Sequence, residues 1–182
     1  MGRDPEQLFQ EEWELSARRI NSGKYNKDRI RFYLTDGTTK TFEIPLMQSE
    51  QMKDEFLEIT LKALNSYPIE ALLLTYEAWF VDDEMSIEDN VDDYLKAHHR
   101  PIDHPQRREG VNFYYETISG VMLTALAEIV TNDKKKRGLA KLPAITKTAA
   151  VGRMSHFFRM AREYAVKPMM LKNIIDGIIQ EN

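Results

Sequence analysis

One acidic residue stands inside the most apolar run of the chain. Residues 71–81 read Ala71-Leu-Leu-Leu-Thr-Tyr-Glu-Ala-Trp-Phe-Val81, and a short run of that kind fits a strand covered on both faces. Glu77 interrupts it. A carboxylate in such a place must be paired, hydrogen-bonded, protonated or used, because an isolated buried charge is too costly to keep. A second polar segment, Arg100-Pro-Ile-Asp-His-Pro-Gln-Arg-Arg-Glu109, lies just upstream of the next strand and is the expected source of its partners.

The chain has 182 residues, 42% of them hydrophobic, enough for one filled core and too few for two. It has no cysteine, which removes disulfides, thiolate nucleophiles and thiolate metal sites and agrees with a reducing compartment. No signal-peptide pattern opens the sequence, and no apolar run approaches the ~20 residues of a membrane span. The expectation is a cytoplasmic protein with no membrane partner and no cofactor. Charge is distributed unevenly. Residues 1–99 carry 11 Lys/Arg against 21 Asp/Glu, and residues 100–182 carry 14 against 8. Mutual attraction of the two halves on the surface of one domain accounts for this without a polyanionic partner.

Asp4-Pro5 is a strong helix start, and Phe9, Trp13, Ala17 and Ile20 follow at helical spacing until Asn21-Ser-Gly23. Residues 29–34 and 40–44 alternate as strands around Asp36-Gly37, a hairpin signal. Ser49 is placed to cap a helix with Met52, Phe56, Ile59, Ala63 and Leu64 on its apolar face, ending at Tyr67-Pro68. Residues 111–117 and 121–130 read as a second hairpin about Ser119-Gly120. Residues 98–109 read as irregular and 132–138 as a charged loop, with a short helix near 91–95. Thr148 is placed to cap a helix bearing Val151, Met154, Phe157, Phe158 and Ala161, and 171–179 reads as a last amphipathic helix. The predicted fold is a single α+β domain over residues 1–182, with a core over 24–131 and a C-terminal helical extension over 147–182. Its mainly antiparallel sheet has about five strands, the strand over 71–81 internal, with helices packed on it. That arrangement places Glu77 deep, on the face shared by Leu73, Thr75 and Trp79.

Two chemistries are open to the carboxylates. Glu77, Glu109, Glu116 and His104 could surround one divalent ion that activates water. Alternatively Glu77 accepts from Arg107 or Arg108 in an ion-pair knot, since guanidinium and carboxylate match in a bidentate way. The acidic stretch 82–93 lacks the glycine and closing glutamate of a calcium loop. Lys134, Lys135, Lys136 and Arg137 form a basic cluster suited to phosphate contact. A sequence pI of about 5.6 argues against general nucleic-acid binding. Nucleophile-elbow, phosphate-loop and dinucleotide fingerprints do not occur.

The Glu77-Ala-Trp79 strand end, the segment Arg100-Pro-x-x-His104-Pro-x-Arg107-Arg108-Glu109 and the downstream Glu116 together resemble a family of small uncharacterised bacterial and phage proteins. The resemblance spans residues 29–130. This chain has Ile102 where the family pattern has Ser and Gln106 where it has Asp. Tyr115 and Thr117 flank Glu116 in place of the family's Ala-Glu-Asp triplet. The resemblance implies a shared fold, a polar site at the matching residues and a phage or prophage setting, and no reaction. The expected function is that of an accessory protein binding a host or phage protein or a nucleic-acid complex, with a homo-oligomer through the C-terminal helix as a further expectation. The alternative is a metal-dependent hydrolase or nuclease using the Glu/His cluster.

Overall fold

The computed structural model describes residues 4–44, 50–80, 107–132, 135–147 and 156–166. Its elements are α1 (Pro5–Asn21), β1 (Arg29–Leu34), β2 (Thr39–Glu43), α2 (Glu50–Ser66), β3 (Ile69–Phe80), β4 (Arg108–Thr117), β5 (Met122–Thr131), β6 (Arg137–Leu139), β7 (Thr146–Lys147) and α3 (Phe157–Val166). The strands form an antiparallel sheet in the order β2-β1-β3-β4-β5-β6, with β7 also paired to β5. The fold is α+β, with β3 internal. Among the described residues the sheet has seven strands, against the expected five or so. The additional two, β6 and β7, are too short to show alternation, and β6 falls in the segment that reads as a charged loop. Strand β4 likewise begins at Arg108, inside the stretch expected to be irregular. The short helix near 91–95, the last helix over 171–179 and the proposed caps Ser49 and Thr148 lie outside the described residues.

Local chemistry explains the element ends. Asp4 Oδ1 accepts from the Glu6 amide at 3.1 Å, and Pro5 occupies the first turn of α1. Gly23, with φ 79°, closes the helix while the Gly23 and Lys24 amides donate to Ile20 and Arg19. Both hairpins use the same three-residue loop. The Leu34 amide bonds Thr38, with Gly37 at φ 82° between them, and the Thr117 amide bonds Val121, with Gly120 at φ 87°. A turn followed by a left-handed glycine gives this connection its twist, so Asp36-Gly37 marks a loop one residue longer than the two-residue turn.

The described parts of the chain group into two compact units interleaved along the sequence, one from residues 1–26, 76–112 and 126–143 and the other from 27–75, 113–125 and 144–182. In the first unit, Leu8, Phe9, Ala17 and Ile20 of α1 are buried, as are Val111, Ala127, Ile129 and Leu139. The Trp13 indole N–H donates to the Ala140 carbonyl at 2.8 Å, and Asn21 Oδ1 accepts from the Leu139 amide at 3.1 Å. These bonds tie the middle and the C-terminal end of α1 to the neighbourhood of β6.

In the second unit, β1 pairs with residues 69–75 of β3, and Leu57 and Leu61 of α2 and Phe157, Met160 and Ala161 of α3 are buried. Asn65 Nδ2 donates to the Ala161 carbonyl at 2.9 Å, joining the two helices. The buried face of α2 carries Leu57, Thr60 and Leu61, whereas Ile59 is 67% exposed, so the face is rotated from the one expected. Thr60 hides the true stripe, because its hydroxyl is satisfied by the Phe56 carbonyl at 2.9 Å and the residue is buried as if apolar.

Strand β3 is buried on both faces only over residues 71–75 and becomes half-buried to exposed from Tyr76 onward. Glu77 is therefore not deep: its side chain keeps 19% of its surface exposed.

Candidate functional site

Glu77 is paired, and its partner is Arg137. Glu77 Oε2 accepts from Arg137 Nη2 at 3.3 Å, while Glu77 Oε1 accepts from the Asn26 amide at 2.6 Å. The same Arg137 nitrogen donates to Glu109 Oε1 at 2.7 Å. One guanidinium on β6 thus joins carboxylates from β3 and β4, and its flat face lies over the Tyr25 ring, 4.7 Å from the centroid. All of these residues belong to the first unit. Burial pulls the Arg137 pKa down, but the hydrogen bond and charge of Glu109, with those of Glu77, outweigh it and leave the group held above its usual value.

Two further arginines meet aromatic rings. Arg107 lies 5.2 Å from the centroid of Trp79, and Arg108 lies 5.0 Å from that of Phe80. Arg108 Nη1 also donates to Glu128 Oε2 at 3.0 Å. Because side chains alternate along a strand, Trp79 shares the face of Glu77, and Phe80 takes the other. Gly110 allows the close approach on the Phe80 side. A Cβ there would stand 2.9 Å from both the Ala127 carbonyl oxygen and the Phe80 ring.

These distances correct the expected assignments. The guanidinium on Glu77 comes from Arg137, while Arg108 holds Glu128 and Arg107 covers Trp79. Arg137 reads in the sequence as part of the basic cluster, yet its charge is used within the fold by two carboxylates. Lys135 and Lys136 are exposed, on a turn organised by Asn132: the Asn132 carbonyl and Oδ1 accept from the Lys135 and Lys136 amides. Lys134 and His104 lie outside the described residues.

Glu116, in the second unit, is only 3% exposed and has a different set of partners. Its Oε2 accepts from the Tyr114 hydroxyl at 2.9 Å and from the Phe157 amide at 2.7 Å, and its Oε1 accepts from the Phe158 amide at 3.0 Å. The Tyr114 oxygen in turn accepts from the His156 amide at 3.0 Å. The first amides of α3, which have no partner within the helix, are therefore satisfied by a carboxylate on β4. His156 enters the helix at φ 57°. Burial pushes the Glu116 pKa up, and the Tyr114 and backbone hydrogen bonds offset only part of that rise.

The expected four-residue cluster is accordingly divided. Glu77 and Glu109 meet at Arg137, whereas Glu116 caps a helix. Among the described residues, no group of three or more His, Asp or Glu side chains is arranged to hold a metal ion. Sequence reasoning missed Tyr25, Asn26, Tyr114 and His156. The last two carry no local signal, since their role arises only when β4 meets the start of α3. Compared with protein-family models, curated proteins and solved structures, the chain matches none.

Proposed function

We propose that this is an accessory protein of phage or prophage type that acts by binding a host or phage protein, alone or within a nucleic-acid complex. The setting rests on the sequence resemblance at Glu77-Ala-Trp79 and the Arg107-Arg108-Glu109 segment. The observation that carries the binding reading is the Trp79–Arg107 pair. Trp79 keeps 40% of its surface exposed, and a guanidinium lies over its ring. Tryptophan and arginine dominate the energetics of protein interfaces, and holding them together beforehand lowers the ordering cost of binding. The exposed Tyr25 ring against Arg137 adds a second pair of the same chemistry. A hydrolase reading draws less support, because Glu77 and Glu109 already spend their charge on Arg137.

The test places a photo-crosslinking aromatic residue at position 79 in the full chain, expressed in a phage host, with a control at the exposed Tyr67. The expected result is a discrete protein adduct from position 79 that disappears in the Arg107→Ala background, and none from position 67. Equal labelling at both positions, or none at 79, overturns the reading.

A further inference from the structure

The cations of the first unit fall into two groups. Arg108 and Arg137 are held by carboxylates, the first by Glu128 and the second by Glu77 and Glu109. Arg18, Lys24, Lys135 and Lys136 are exposed, and among the described residues none of them has a carboxylate partner. The contacts of the unit gather them around Tyr25. The Arg137 guanidinium lies against one face of the Tyr25 ring, and at 74% exposure the other face is open. Lys135 and Lys136 precede Arg137 directly, so their turn comes beside the ring. On the other side, Arg19 Nε donates to the Tyr25 carbonyl at 3.3 Å, which holds Lys24-Tyr25 against the last turn of α1, where Arg18 and Arg19 stand. Lys135 adopts φ 56°, a conformation usually left to glycine. Asn132 keeps it there by accepting from the Lys135 and Lys136 amides, so the turn presents its two lysines in a defined arrangement.

We infer that this face binds single-stranded nucleic acid, with one base stacked on the open side of Tyr25 and the neighbouring phosphates on Lys135 and Lys136 in one direction and on Lys24 and Arg18 in the other. The inference goes beyond the Trp79 contact and does not rest on it. A base on an aromatic ring and phosphates on unpaired cations are the two interactions that strand binding uses. Arg137 prepares the ring. Its charge is already matched by two carboxylates, so it packs one face of Tyr25 and sets the ring in place before a ligand arrives. The ring also selects among polyanions. A duplex keeps its bases stacked on one another and offers Tyr25 only phosphates, and a run of Asp or Glu would meet the lysines without a flat group for the ring. Exposed lysines often serve solubility alone, but that role needs neither an open ring among them nor a lysine held at positive φ. The site is short. The shallow groove that Arg18 shares with Asn21 and Ser22 also carries Glu14, a carboxylate that repels the next phosphate. With a sequence pI of about 5.6, the contact is local and salt-sensitive, without general affinity for nucleic acid.

The test uses the full chain and a fluorescent oligothymidylate of about 12 nucleotides, within the range of strand-binding sites, read by anisotropy over a salt series. Saturable binding should appear at low salt and weaken steeply as salt rises. Tyr25→Ala should lower the affinity by about 5- to 100-fold, the worth of one stacked base, without changing the salt dependence. Tyr25→Phe should bind as the wild type does. Lys135→Gln and Lys136→Gln should each reduce the slope of log affinity against log salt by about 0.7. Lys147→Gln removes an exposed, unpaired lysine of the second unit and should change neither quantity. Each variant should keep the wild-type melting temperature, because these side chains are exposed and Tyr25 accepts from Arg19 through its backbone. Trp79 and Arg107 stay in place throughout, so failure here leaves the crosslinking at position 79 to be judged separately. No saturable binding at low salt overturns the inference. So does a duplex of the same length or a polyglutamate peptide that competes as well as the strand, which would make the face a general anion surface. Tyr25→Ala binding as tightly as the wild type overturns it too.

Discussion

Arg137 Nη2 stands 2.7 Å from Glu109 Oε1, and this bond is the shorter of the two that the guanidinium makes to carboxylates. The geometry makes Arg137 the element on which the first unit's polar cluster depends. Without it, Glu77 and Glu109 would be two half-buried like charges side by side.

Replacing Arg137 by Met should therefore cost about 2–3 kcal/mol in urea unfolding. That is below the 3–5 kcal/mol of a fully buried pair, because all three side chains retain some contact with water. Arg137→Lys should recover only part of the loss, since an ammonium offers neither the planar fork nor the same stacking on Tyr25. A change under about 0.5 kcal/mol for the Met variant would mean that the ion pairs contribute nothing beyond solvation.

Gly110→Ala should destabilise by about 1–3 kcal/mol, the range for overpacking a filled site. Of the three atoms its Cβ would meet, the Ala127 carbonyl oxygen is backbone and cannot swing aside, one belongs to the Phe80 ring that Arg108 covers, and the third is Leu126 Cδ1 at 3.1 Å. Pairing Gly110→Ala with Phe80→Leu should recover part of the loss if the ring is the main obstacle. No recovery would assign the cost to the Ala127 carbonyl and Leu126.

The extent to which the chain was legible follows from how local each signal is. The Asp4 cap, the Gly37 and Gly120 hairpins and the central place of β3 are written within a few neighbouring residues. That Glu77 needs a cation was legible too, from its apolar surroundings. Which cation was not: Arg107 and Arg108 are nearer in sequence, and Arg137 sits in what reads as a solvated charge run, three residues too few to announce a strand. Glu116 was misplaced for the same reason. Its partners are backbone amides at 157 and 158, and an amide has no side-chain signature. Thr60 shows the converse failure, a polar residue whose bond to its own helix lets it stand in the core.

Glu77→Gln should lower stability by about 1–2 kcal/mol. The amide keeps one acceptor for Asn26 but loses the charge-assisted bond from Arg137. Titrating the wild-type chain with Mn²⁺ in a calorimeter should reveal no stoichiometric site that disappears in both Glu77→Gln and Glu109→Gln. A site of about micromolar affinity requiring both glutamates would instead make metal-assisted hydrolysis the leading function.

Glu116 makes a prediction in pH. Its pKa in the folded protein lies above the ordinary 4.5, burial being the largest cause. The folded state then holds the proton more tightly than the unfolded state. Its contribution to stability is full below about 4.5 and declines as pH rises through the folded value. Other carboxylates titrate over the same range, so the group is isolated by difference: the stability of the wild type minus that of Glu116→Gln, from urea unfolding between about pH 4 and pH 8. That difference should be largest at the acid end and shrink with rising pH, because Gln does not titrate and its share stays constant. Glu116→Ala should be worse than Gln at every pH. It strips the Tyr114 hydroxyl and the Phe157 and Phe158 amides of their acceptor, each orphaned buried group costing about 1–3 kcal/mol. A difference that grows with pH would show the opposite balance, with the three donors and the start of α3 holding the ionised carboxylate more strongly than burial opposes it.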